Sequence, residues 1–149
     1  MGVRIEPMTL SDLAEVLADH DRYWDGRDVR FLHQRVFVQE FADTCLTARG
    51  EGGEIAGYLL GFTTPHRVGY IHAVAVRDDA RGTGCAQALY AAFAAAATAQ
   101  GADRLKAITT ATNAGSVAFH RRLGFDVRQV DDYSGPGVPR IVMTRPLPL

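Results

Sequence analysis

The spacing of apolar residues along the chain changes several times, and each change marks an element. Residues 3–6 alternate as a short strand does, and Thr9 or Ser11 then stands where a side-chain oxygen can accept a free helical N–H. Leu10, Leu13, Ala14 and Leu17 follow at helical spacing and predict a helix ending near Asp19. From His20 to Arg30 charged and aromatic residues crowd together around Gly26, which predicts a loop, and a second helix is expected from about Asp28 to Phe41. Two apolar runs, Thr44 to Ala48 and Ile55 to Phe62, flank a glycine-rich turn, and Gly69 to Val76 supplies a third run; together they predict three consecutive antiparallel strands. Gly84 to Gln100 is alanine-rich, with Leu89, Phe93 and Ala96 or Ala97 at helical spacing and Gly101 in the capping position. The remainder predicts a strand over Leu105 to Thr109, a helix over Ala114 to Leu123 ended by Gly124, and strands over Phe125 to Val130 and Ile141 to Thr144.

Strands surrounding well-spaced helices make this an α/β (α+β mixed) chain, and without repeat or linker residues 1–149 form one domain. At 149 residues and 47% hydrophobic content it can bury a core unaided. Its two cysteines, Cys45 and Cys85, make no paired motif, so neither a zinc site nor a disulfide framework is expected. No apolar run approaches a membrane span and no secretory leader is visible, so a cytoplasmic protein with no membrane partner is expected. A formal net charge of -1 argues against a nucleic-acid partner. Charge is uneven: residues 1–50 hold six basic and nine acidic side chains, and residues 101–149 hold seven and four. Arginine dominance and alanine richness point to a high-GC bacterial source.

The segment Arg81-Gly82-Thr83-Gly84-Cys85-Ala86 lies between a predicted strand and the alanine-rich helix. Glycines let the backbone approach a phosphate, and the first N–H groups of the helix face it with the positive end of the dipole behind them. Arg81 adds a forked cationic donor. A nucleoside-triphosphate loop needs Lys and then Ser or Thr after the second glycine, where Cys85 and Ala86 stand; a dinucleotide fingerprint needs glycine where Gln87 stands.

Arg81, Gly84 and Ala86 after the strand His72-Ala-Val-Ala-Val76 resemble motif A of the GCN5-related N-acetyltransferase (GNAT) family. A second family signature, an Asn followed by a helix ending Leu-Gly-Phe, is matched by Asn113 through Ser116 and His120 to Phe125. The His-x-x-Leu-Gly-Phe ending is similar to the phosphinothricin acetyltransferase-like branch. The resemblance implies a central splayed mixed sheet flanked by helices, with acetyl-CoA as cosubstrate and no metal. It implies acetyl-CoA in the gap between the motif A strand and the strand at Leu105 to Thr109. The pantetheine arm would lie along Val74 and Val76, with N–H groups near Val74 stabilising the oxyanion. Arg81, Gly82, Thr83, Gly84, Cys85 and Ala86 would meet the pyrophosphate, and Asn113 and Ser116 the cofactor from the second motif. A homodimer is frequent in the family.

Asn113, Ser116 and His120 share one helix face. Many family members carry Tyr where His120 stands, near the thioester sulfur; a histidine there is either an acid or base near neutral pH or a packing residue. His72, beside the expected acetyl position, is the candidate general base, and Glu6, Glu40 and Asp43 are weaker ones. Tyr23, Trp24 and Asp25 in one loop and Asp131, Asp132 and Tyr133 in another are expected to contact the acceptor, an acidic and aromatic set suited to a cationic small-molecule amine. Direct acetyl transfer to a primary amine is the expected reaction. A non-catalytic acyl-CoA-binding module and a protein-modifying acetyltransferase share every cofactor residue and stay as alternatives.

Overall fold

The computed structural model describes residues 2–149. Its strands are β1 (Arg4–Pro7), β2 (Cys45–Arg49), β3 (Ile55–Thr63), β4 (Val68–Val76), β5 (Arg104–Thr109), β6 (Asp126–Val130) and β7 (Arg140–Pro146). They form one sheet in the order β1-β2-β3-β4-β5-β7-β6. The three consecutive antiparallel strands expected from the apolar runs are β2, β3 and β4. Only β4 and β5 run parallel, because α4 (Cys85–Ala99) crosses over between them.

One face of the sheet is covered by α1 (Leu10–Ala18), α2 (His20–Trp24) and α3 (Arg35–Glu40), whose Leu13, Val16, Tyr23 and Val38 pack on Tyr58, Leu60 and Ala73. The other face carries α4 and α5 (Ala114–Arg122), with Leu89, Tyr90 and Phe93 packed on Leu59, Ile71 and Leu105. Helix α4 lies directly on the sheet because β3 presents glycine to it. A Cβ on Gly61 would sit 2.5 Å from the Phe93 ring, and one on Gly57 would sit 2.9 Å from Cys85 Sγ. Of the two expected caps Thr9 is the one used, in a capping box with Asp12 that opens α1, but Val16 is buried where Ala14 is exposed.

The expected loop and long helix between residues 20 and 41 are rearranged. Residues 20–24 are α-helical where a loop is expected, residues 30–32 form a 3-10 turn, and of the expected 28–41 helix Arg35–Glu40 alone is α-helical. The chain is held in this form by tertiary bonds. The Trp24 indole N–H donates to Tyr58 Oη (2.7 Å), the Tyr58 hydroxyl donates to His33 Nε2 (2.6 Å), and His33 Nδ1–H donates to the Val29 carbonyl (2.9 Å). Local helix propensity cannot compete with a buried chain of satisfied polar groups.

Strand β4 contains the irregularity that makes the site. Leu60 pairs with Ala73 and Gly61 with Ile71, so His72 is an extra residue opposite no partner, a β-bulge. A bulge bends its strand and re-aims a side chain. Pairing of β4 with β5 covers Val68 to Ile71 against Arg104 to Ala107 and stops there. From His72 onward the two strands diverge, and the sheet opens.

Candidate active site

The opening is a cavity of about 410 Å³, walled by His72 and Val74 of β4, Ile108 and Thr109 of β5, and Asn113, Ser116 and His120 from the second motif. Backbone geometry exposes the β4 edge to it. Arg77 N–H bonds Ala56 O on β3, and hydrogen-bonded pairs alternate with non-bonded ones along an antiparallel ladder. Val76 and Val74, one and three positions back, therefore turn their N–H and C=O groups away from β3 toward the gap. The carbonyl of Val76 is met there by Arg81 Nε at 3.3 Å.

A second cavity, of about 270 Å³, lies at the start of α4 between Arg81, Gly84, Phe119 and Arg122. Gly82 and Gly84 have φ of 77° and 86°, a region that favours glycine, and a Cβ on either would point into open space. The first turn-closing bond of α4 runs from Ala88 N–H to Gly84 O; among the described residues the N–H groups of Cys85, Ala86 and Gln87 have no backbone acceptor. These donors and the helix dipole make an anion cradle, which fits a pyrophosphate. Thr83 turns its hydroxyl to Ala80 O (2.5 Å), and Cys85 is buried, which raises its thiol pKa. Arg81 is engaged elsewhere. Its guanidinium meets both oxygens of Asp25 at 3.0 Å and donates to the carbonyls of Arg22 and Tyr23 at the end of α2.

The two histidines of the gap differ. His120 is 3% exposed, and both ring nitrogens are occupied: Nδ1 lies 2.7 Å from Ser116 O and Nε2 2.6 Å from Tyr90 Oη. A carbonyl only accepts, so Nδ1 carries the proton and Nε2 accepts from the Tyr90 hydroxyl. His72 Nε2 lies 2.9 Å from Leu32 O and must donate to it, which leaves the Nδ1 lone pair without a partner among the described residues. Its ring stacks on Phe37 at 4.3 Å between centroids. Burial lowers the pKa of both histidines below the ordinary imidazole range, so both are neutral near pH 7.

Other candidate residues are only partly brought together. Trp24 and Tyr133 line the large cavity. Tyr23 does not: it is buried, its hydroxyl donates to Ile55 O (3.3 Å), and burial pushes its pKa up to about 12. Asp25 is taken up by Arg81, Asp131 accepts from Gln129, and Asp132 accepts from Gly137 N–H. Neither Glu40 nor Asp43 lines the cavity, and Glu6 pairs with Arg49 (2.6 Å) on the far strand. Asn113 caps α5 through Ser116 N–H and donates to Thr109 Oγ1, so it joins helix and strand at the rim. Sequence reading missed Tyr90, which neighbours Leu89 in the alanine-rich helix. It also missed Arg27 and Arg140, which line the cavity from segments 113 residues apart in number and carry no motif.

Comparison with known proteins agrees with this architecture. Residues 11–125 match the acetyltransferase (GNAT) family. The L-methionine sulfoximine/L-methionine sulfone acetyltransferases of Pseudomonas aeruginosa and Pseudomonas paraeruginosa are each 40% identical over 141 residues, covering 85% of this chain and 82% of theirs. The NatC complex bound to Gag peptide and CoA shares the fold, with a TM-score of 0.77 at 18% identity over 99% of this chain and 100% of that one. Motif, splayed sheet and relatives agree, and the chain belongs to the GNAT family of acetyltransferases.

Proposed function

We propose that this protein transfers the acetyl group of acetyl-CoA directly to the primary amine of a small molecule, with His72 as general base. The observation that carries the reading is the bulge: it puts a neutral imidazole with one free lone pair beside the only stretch of β4 that lacks a β5 partner. Acetyl-CoA, when bound, supplies the reactive thioester. The cradle that starts at Gly82, with the free N–H groups of Cys85, Ala86 and Gln87, fits its pyrophosphate, and the β4 edge at Val74 and Val76, unpaired with β5, fits an amide-bearing arm added like a strand. In this reading Arg81 holds the cradle to α2 and does not itself grip the phosphates.

His72 Nδ1 takes the proton that leaves the amine nitrogen as the new C–N bond forms and the C–S bond breaks. Backbone N–H near Val74 meets the charge that develops on the acyl oxygen. His120 positions the wall: its only N–H is committed to Ser116 O, so it holds no proton aimed at the sulfur. The small-molecule acceptor is supported by the Pseudomonas relatives, named for methionine sulfoximine and methionine sulfone. The unpaired thiols of Cys45 and Cys85 suit a reducing bacterial cytoplasm. The homodimer the family resemblance implies is checked by light scattering.

The test is thiol release from acetyl-CoA with a panel of small amines, each product identified by mass. Wild-type turnover that His72→Ala abolishes supports the reading. CoA binding without thiol release from any amine would leave a binding module, and acetylation confined to peptides and proteins would move the acceptor to that class.

A further inference from the structure

Two charged side chains line the large cavity, and both are arginines: Arg27, just after α2, and Arg140, the first residue of β7. No carboxylate lines it among the described residues. Most of the other thirteen arginines are neutralised. Eight of them stand within 4.0 Å of an Asp or Glu, while Arg27 and Arg140 have no such partner among the described residues. The guanidinium of Arg27 lies 6.0 Å from the centre of the Trp24 ring, and Arg140 donates to the carbonyl of its neighbour Pro139 (2.8 Å). Every histidine facing this cavity is neutral near pH 7, so the wall carries net positive charge.

Clefts lined by one sign of charge draw the opposite sign. Within the acetyltransferase reading above, on which this step rests, the phosphates of the donor belong in the separate cradle at the start of α4, and the pantetheine arm is uncharged. The counter-charge is therefore the acceptor's. We infer that the acceptor is a small zwitterion, with a carboxylate near its reacting amine, and that Arg27 and Arg140 bind this carboxylate. A planar guanidinium matches a carboxylate with two parallel N–H donors, which fixes orientation as well as charge. Amine and carboxylate are then separated: the carboxylate lies at the arginines and the amine at His72 Nδ1. The same pair disfavours polyamines and other purely cationic acceptors by like-charge contact, opposite to the expectation built on Asp25, Asp131 and Asp132.

The experiment compares L-methionine sulfone with its methyl ester and with 3-(methylsulfonyl)propylamine, which lacks the carboxyl group, at saturating acetyl-CoA. The ester's amine is the more readily deprotonated, so without carboxylate recognition the ester reacts fastest. The expected result is kcat/KM about 10- to 100-fold higher for the free acid, the range for hydrogen bonds to a charged group, expressed mainly in KM. Arg27→Gln and Arg140→Gln each shrink the ratio, the double variant brings it near one, and Arg140→Lys restores part of it. Acetyl-CoA affinity of the same variants reports that they are folded. An ester or amine as good as the acid, or a preference that survives the double variant, overturns the inference. Thiol release with peptides and with none of the three compounds sinks the small-molecule reading and this inference with it.

Discussion

The β4 wall and the α5 wall of the gap each present a neutral histidine, half-buried His72 and buried His120, and the difference lies in what each ring has left to offer. His120 on α5 is saturated, Nδ1 on Ser116 O and Nε2 on Tyr90 Oη. His72 on β4 spends one nitrogen on Leu32 O and keeps the other. Burial lowers both pKa values, but only a ring with a free lone pair in the cavity can take a proton from an incoming amine. A residue's place in a family motif therefore says less about its chemistry than the number of its hydrogen bonds.

Three measurements break or sharpen that contrast, the largest first. His72→Ala is expected to lower kcat about 10²- to 10⁴-fold, the usual contribution of a positioned base, with little change in acetyl-CoA affinity. His120→Ala should act on stability instead. It empties a buried site and strands the Tyr90 hydroxyl, costing about 2–3 kcal/mol in denaturant unfolding, while Tyr90→Phe costs about 1–2 kcal/mol by stranding His120 Nε2. A His120 variant that folds as well as wild type yet loses turnover as His72→Ala does would erase the distinction.

Next comes pH. A base must be neutral to act, so if His72 is the base as proposed kcat/KM should fall tenfold per pH unit on the acid side, with a midpoint below the ordinary histidine value of about 6.5. The fold follows the same sign. His33, His72 and His120 all have lowered pKa in the folded state, so the unfolded chain binds protons first. Stability is full above about pH 6.5 and declines as pH falls through the window below it. A thermal midpoint unchanged between pH 7 and pH 5 would contradict the burial of these rings.

The smallest effect concerns the cradle. Arg81 and Asp25 are joined at the surface, where Asp25 caps the end of α2 with φ of 54°. Asp25→Asn should cost about 0.2–1 kcal/mol of stability, as exposed ion pairs do. Its KM for the acceptor should rise more than that for acetyl-CoA, because Trp24, next in the chain, lines the large cavity in which the acceptor is proposed to bind. Equal changes in both would place Arg81 on the phosphates after all.

Much of the anion cradle was legible because it is built from contiguous residues. A strand, a glycine pair and a helix start need only local backbone rules, and Arg81 to Ala86 spell them out in order. The strands and the α4 helix follow from periodicity for the same reason. Tertiary structure alone decided the rest. The bulge at His72 is a register shift between two strands, which one strand's sequence does not record. Breaking the expected 28–41 helix depends on His33 meeting Tyr58, 25 residues away. The charge of the large cavity depends on Arg27 and Arg140 lining it while Asp25 pairs with Arg81. Local chemistry was written in the chain, but what reaches the cavity was decided by long-range packing.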